Sequence, residues 1–172
     1  MTLRRSLDRI YDASGVLAGA CLVAIFFIVL AQVAGRELGF LVPGADNLAG
    51  WFCAATAFLA LAHTFQRGEM VHVGLLVERL PAAPRRAADV LALSVGTAFA
   101  GYVHVAALRY CFESWQIGEL PQSGTLALPL WIPQSSFALG SLLLTVALID
   151  NLVCAARGGV PAYRRNARSE VL

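Results

Sequence analysis

Three histidines, two boundary aspartates and one glutamine are the residues of this 172-residue chain whose types could support chemistry inside a membrane. Two histidines at one depth could ligate a haem iron from opposite sides, and an acid at mid-membrane could carry a coupled proton. Spacing works against both. His63 falls near the inner end of the second of four apolar windows, and His104 near the outer end of the third. Counted from the outer ends, they differ in depth by about ten residues, roughly 15 Å of helical rise. His72 lies outside the windows altogether, and Asp89 and Asp150 stand at window boundaries. Gln32, the main strongly polar side chain of the first window, is suited to bond across to another helix. The sequence carries no nucleophile elbow, phosphate loop, zinc-ligand spacing or plausible pair of catalytic carboxylates. The four cysteines (Cys21, Cys53, Cys111, Cys154) lie far apart, with no C-x-x-C pair, and read as small buried hydrophobes.

The elements that must hold these residues are set by charge exclusion. Residues 13–35, 47–66, 90–108 and 120–149 contain no charged side chain. A helix rises about 1.5 Å per residue, so about 20 such residues match a hydrocarbon core of about 30 Å. A lone charge buried there costs a few kcal/mol or more, roughly, on any scale. With 58% hydrophobic residues and a mean hydropathy of +0.68, the chain has room for four spans and no separate soluble domain. The first window exceeds the apolar stretch of a signal peptide and ends in no small-x-small cleavage site, so it reads as a span. The expectation is one all-α integral membrane domain with spans near 13–35, 47–66, 88–109 and 130–150, and a basic tail over 157–172.

All 13 basic residues are arginine. Eleven lie before the first span, between the second and third, or after the fourth; only Arg36 and Arg109 lie in the other two connections. This positive-inside asymmetry puts both termini and the middle loop in the cytoplasm. The basic clusters therefore call for membrane lipid and not for nucleic acid. Trp51, Trp115 and Trp131 then fall near the outer interface, where amphipathic indoles belong.

Within the middle loop, Val73, Leu76, Val77 and Leu80 follow i, i+3, i+4, i+7 spacing, which fits a short amphipathic helix in the inner headgroup region. An irregular, Val- and Leu-rich connection is the alternative. Pro84 suits the first turn of the third helix. Pro129 and Pro133 imply an extended or kinked approach to the fourth, with regular helix from about Pro133. Gly15-x-x-x-Gly19 permits close helix approach, a weak signal because such pairs are common in apolar sequence.

Two stretches carry a resemblance. Gln66-Arg-Gly-Glu-Met-Val-His-Val-Gly-Leu-Leu-Val-Glu-Arg-Leu-Pro81 is similar to a loop signature built from arginine, Gly-Glu, apolar residues and a closing Leu-Pro. Glu113-Ser-Trp-Gln-Ile-Gly-Glu119, followed by Ser123-Gly-Thr-Leu-Ala-Leu-Pro-Leu-Trp-Ile-Pro-Gln134, resembles a second, more specific signature of the same family. That family is the DctQ-type small permease subunit of TRAP (tripartite ATP-independent periplasmic) transporters, and the resemblance covers about residues 20 to 155. The chain departs from it at Gly74 and at Asn47, where the family often has an acid.

The resemblance implies a bacterial inner-membrane location and two protein partners. One is a large permease subunit carrying the substrate site and the cation coupling. The other is a periplasmic substrate-binding protein that delivers an organic acid such as a C4-dicarboxylate. The small subunit scaffolds the large one and needs no cofactor, metal or catalytic residue of its own. By the same resemblance, Arg67 and Glu69 fix the middle loop or contact the large subunit. Glu113, Trp115, Gly118, Trp131 and Pro133 shape the outer surface; local fold anchoring is the competing role for all of these. The alternative from the residues alone is a free-standing four-helix protein binding a quinone, haem or cationic ligand.

Overall fold

The computed structural model describes residues 2–68, 81–120, 128–159 and 163. These form four α-helices: α1 (Thr2–Glu37), α2 (Ala45–Arg67), α3 (Ala82–Ile117) and α4 (Trp131–Ala156). Each is long and apolar enough to cross a membrane. The amphipathic helix expected over 69–80 lies outside the described residues.

Two helices overrun their apolar windows. α1 and α3 have 36 residues each, about 54 Å of rise against a hydrocarbon core of about 30 Å. α1 overruns mainly at its arginine-rich start, where Arg4, Arg5, Asp8, Arg9 and Asp12 precede the first window, whereas α3 overruns at both ends, with Arg85, Arg86 and Asp89 before the third window and Arg109 and Glu113 after it. Charge exclusion marks where hydrocarbon begins and does not mark where a helix stops. Arginine and alanine are good helix formers on either side of that boundary.

Pro84, Pro129 and Pro133 sit where a missing N–H removes no intrahelical bond. Pro84 lies in the first turn of α3. α4 begins at Trp131, two residues before the expected start of regular helix, and takes Pro133 into its own first turn. Pro129 stays outside the helix, and its carbonyl accepts the Ile132 N–H at 3.2 Å. At the other end of this connection α3 stops at Gly118, whose φ of 65° is a left-handed conformation that glycine adopts without a Cβ clash. The Glu119 N–H then turns back to Ser114 O at 3.2 Å, and the Leu130 N–H donates to Glu119 O at 3.0 Å.

The helices form an open row in the order α1, α2, α4, α3. α1 packs on α2, α2 on α4 and α4 on α3, and no other pair among the described residues makes more than slight contact. Lipid tails are as apolar as leucine, so these seams cannot draw on hydrophobic burial and rely on close packing of small side chains. Ala18 and Cys21 of α1 meet Ala55 and Leu59 of α2. Tyr11, Ala62 and Ala147 join α1, α2 and α4. Leu93 and Ala100 of α3 meet Leu148 and Ala155 of α4. Of the cysteines only Cys21 is buried; Cys53 is exposed and Cys111 and Cys154 half-buried. The expectation of four buried cysteines is thus corrected, because in an open row half of each helix faces outward.

α2 and α4 approach closely at one glycine. A Cβ on Gly140 would stand 2.6 Å from the backbone carbon and oxygen of Phe58. Just beside it the Phe58 and Phe137 rings meet edge to face, with centroids 4.2 Å apart. Of the Gly15-x-x-x-Gly19 pair only Gly15 is in contact, against the His63 ring. Gly140→Ala is expected to force α2 and α4 apart and to destabilise the protein by about 1–3 kcal/mol, as overpacking does. Gly50→Ala, with nothing within 4 Å of its new methyl, is expected to be neutral or slightly stabilising. Unfolding of both variants in detergent, followed by circular dichroism, checks this.

Candidate functional site

The residues singled out in the sequence fall at opposite ends of the row. α2 and α4 run parallel, since Phe58 meets Phe137 while Ala62 meets Ala147. With α1 and α3 running the other way, Trp51, Trp115 and Trp131 share one end with Arg36 and Arg109. Arg67, Arg86 and Arg157 share the other.

At the tryptophan end, Glu113, Trp115 and Gly118 lie in the last turn of α3 and at its cap, and Trp131 and Pro133 open α4. The structure brings the two groups together through the backbone. The Cys111 thiol reaches Trp131 O at 3.6 Å, and the Ser114 hydroxyl donates to Glu119 Oε2 at 3.1 Å. Ser114 is 2% exposed, so this bond fixes Glu119 against the helix end. Trp115 leans on Phe112 with ring centroids 5.8 Å apart and remains 60% exposed, while Trp131 is 37% exposed. Glu113 is also exposed. The group splits in two: Gly118, Pro133 and the Trp131 backbone hold the turn, and Glu113 and the Trp115 ring face outward.

At the arginine end, Arg67 Nη2 lies 3.4 Å from Asp12 Oδ1, tying the end of α2 to the charged overrun of α1. Glu69 lies outside the described residues. One turn earlier His63 Nδ1 lies 3.0 Å from Tyr11 O and 3.6 Å from Asp12 Oδ1. A carbonyl only accepts, so the neutral ring carries its proton on Nδ1 and donates. His104 engages a different seam: its Nδ1 is 3.2 Å from both Ala138 O and Ser141 Oγ on α4. The two histidines thus bond across separate helix pairs. Among the described residues, no three His, Cys, Asp or Glu side chains gather as a metal-ligand set.

Sequence reasoning missed several contacts. Arg86, in the second turn of α3, donates from Nε to Ala155 O at 3.2 Å and from Nη2 to Ala156 O. It adds a donor to the Ala155 carbonyl, which already accepts the Gly158 N–H, and to that of Ala156, and it sits favourably at the negative pole of α4. Its place in an arginine cluster masked it, since charge patterning reads such residues as solvated. Asn151 is fully buried and donates to Ala147 O at 2.8 Å. Asp12 adjoins the first window and could have been paired with Arg67 from opposite charge at the same membrane face.

A search among curated proteins returned no match. The profile of one protein family, described as tripartite ATP-independent periplasmic transporters, DctQ component, matches residues 25–158. The match takes in the C-terminal part of α1, all of α2, α3 and α4, and both connections that carry the signatures. The four-helix row with its Trp- and Pro-marked connection between α3 and α4 is thus a multi-pass transporter component, and the chain belongs to the DctQ family, the small permease component of TRAP transporters.

Proposed function

We propose that this chain braces the large permease subunit of a TRAP transporter in the bacterial inner membrane, with both termini in the cytoplasm. The transported solute is an organic acid, delivered by a periplasmic binding protein and moved by the large subunit with cation coupling. The chain performs no reaction of its own. The observation that carries this reading is the open row. A closed four-helix bundle turns its helices toward a common axis, whereas this row leaves two broad apolar sides. Only 11% to 28% of each span's apolar window is buried within the chain. Val16, Val23, Phe26, Phe27 and Leu30 on α1, and Val95, Phe99 and Tyr102 on α3, are all exposed. Lipid can cover one side and a second membrane protein the other. A brace of this kind needs rigid seams, and the carbonyl-directed bonds of His63, His104 and Arg86 supply them.

Two residues carry the partner contacts in this reading. Trp115 faces the binding protein or the outer part of the large subunit, and Arg67 anchors the middle loop against the large subunit.

Co-expression with the large subunit tests the central claim. The two chains are expected to co-purify, and uptake in proteoliposomes is expected to require both together with the binding protein. Full uptake by the large subunit alone, at equal amount, refutes the bracing role. Uptake or ligand turnover by this chain alone refutes it as well.

A second test concerns Arg67. Its ion pair with Asp12 is half-exposed on both sides, with relative exposures of 50% and 60%. Such pairs contribute about 0–1 kcal/mol. Arg67→Gln is therefore expected to change thermal stability little while lowering co-purification and uptake several-fold. Parallel loss of stability and uptake would reduce Arg67 to a fold anchor.

A further inference from the structure

The connection between α1 and α2 encloses a half-open cavity of about 660 Å³ at the outer end of the row, within the roughly 300–1,000 Å³ range of ligand pockets. Its walls are the last turns of α1, the loop from Phe40 to Gly44 and the first turn of α2. One cation and one anion line it. Asp46 is fixed in place by the Gln32 side-chain amide, which donates to Asp46 Oδ1 at 2.8 Å. Arg36, one turn beyond Gln32, lines the same cavity and makes no ion pair among the described residues. Phe40 and Leu41 are both exposed at the rim.

Depth adds a second constraint. The first charge-free window ends at Gly35, so Arg36 is the first charge met on leaving the hydrocarbon. That is the level of the lipid phosphates. A guanidinium forks onto phosphate oxygens, whereas a fixed carboxylate in the same cavity repels a purely anionic headgroup and attracts an ammonium. The exposed rim offers apolar surface to the upper part of an acyl chain.

We propose that this cavity holds the headgroup of a zwitterionic, primary-amine phospholipid of the outer leaflet, with its phosphate on Arg36, its ammonium on Asp46 and an acyl chain against Phe40 and Leu41. The site is complete within this chain and stands independently of the bracing role. Filled, it would wedge the outer ends of α1 and α2 at a fixed separation.

Native mass spectrometry of the purified full chain tests it, with phosphatidylethanolamine, phosphatidylglycerol or free phosphoethanolamine added at equal concentration. Wild type is expected to retain one phosphatidylethanolamine, about tenfold or more in preference to phosphatidylglycerol, as a charge-assisted contact allows. Arg36→Gln is expected to lose that retention. Asp46→Asn keeps an acceptor for Gln32 and is expected to shift the preference toward phosphatidylglycerol, which keeps the test decisive if Arg36→Gln misfolds. Equal retention of the two lipids by wild type overturns the proposal, as does unchanged retention in Arg36→Gln. Binding of free phosphoethanolamine as tight as that of the lipid assigns the cavity to a soluble ligand. Lost affinity for the periplasmic binding protein in Arg36→Gln, with lipid retention intact, assigns it to a protein contact; either result overturns the lipid assignment.

Discussion

Helices inside a bilayer cannot be held together by the burial of oil from water, because the solvent is itself oil. The seams in this protein show the consequence. Alanine recurs in the contacts beside a few leucines and aromatics, and the polar side chains that cross the α1–α2 and α3–α4 seams aim largely at backbone carbonyls. Thr56 reaches toward Ala18 O, His63 to Tyr11 O, His104 to Ala138 O and Arg86 to Ala155 O. A helical carbonyl is already bonded along its own helix, yet it has a second lone pair, and in a medium without water that lone pair is available to a neighbouring donor. Each such bond fixes the rotation of one helix relative to the next. Packing of small residues alone would leave that rotation loose.

The same constraint explains why the row can stay open. A soluble four-helix protein closes because each helix has one apolar stripe to hide. Here the helices are apolar nearly all round, and nothing in lipid drives the two edge helices together. α1 and α3 therefore remain at opposite edges, tied to the centre by one seam each. The central pair, α2 and α4, comes close where Gly140 meets the Phe58 backbone. The buried Asn151 and Ser141 lie on α4, which like α2 has a helix on either side. The other buried polar side chains, Ser14, Gln66 and Ser114, are spread over α1, α2 and α3.

Four helices long and apolar enough to cross a membrane were legible in the sequence because charge exclusion is a direct record of the solvent. The bond of Gln32 across to the start of α2 was legible too, since a strongly polar side chain at the outer edge of an apolar window must find a partner. The order of the row was not. A helix that is apolar on every side carries no stripe to say which face meets a neighbour, so periodicity is silent on whether α2 packs with α3 or α4. The extra turns of α1 and α3 beyond their apolar windows were invisible for a related reason: charge signals the end of hydrocarbon and not of helix. Gly140 was missed because its meaning depends on Phe58, 82 positions away in the sequence, and no local pattern joins them. Gly15 was flagged on a weak motif and does pack, whereas its companion Gly19 meets nothing.

A sequence signature mixes two kinds of residue, and the structure separates them. Gly118 supplies the left-handed turn that ends α3, and Pro133 fits the first turn of α4 without losing a bond. The Trp131 carbonyl meets the Cys111 thiol, so part of its role belongs to the backbone. These positions are accounted for by the turn itself. Among the described residues, Glu113 and the ring of Trp115 make no contact that holds the turn: one is an exposed carboxylate, the other a large indole resting on Phe112 with most of its surface outward. An indole at an interface is anchored well enough by headgroups, which accounts for an aromatic at Trp115 but not for a carboxylate two residues before it. Arg67 divides in the same way at the arginine end, since a half-exposed pair with Asp12 stabilises the fold little. Among the described residues, Glu113 and Arg67 are the signature positions that local structure explains least.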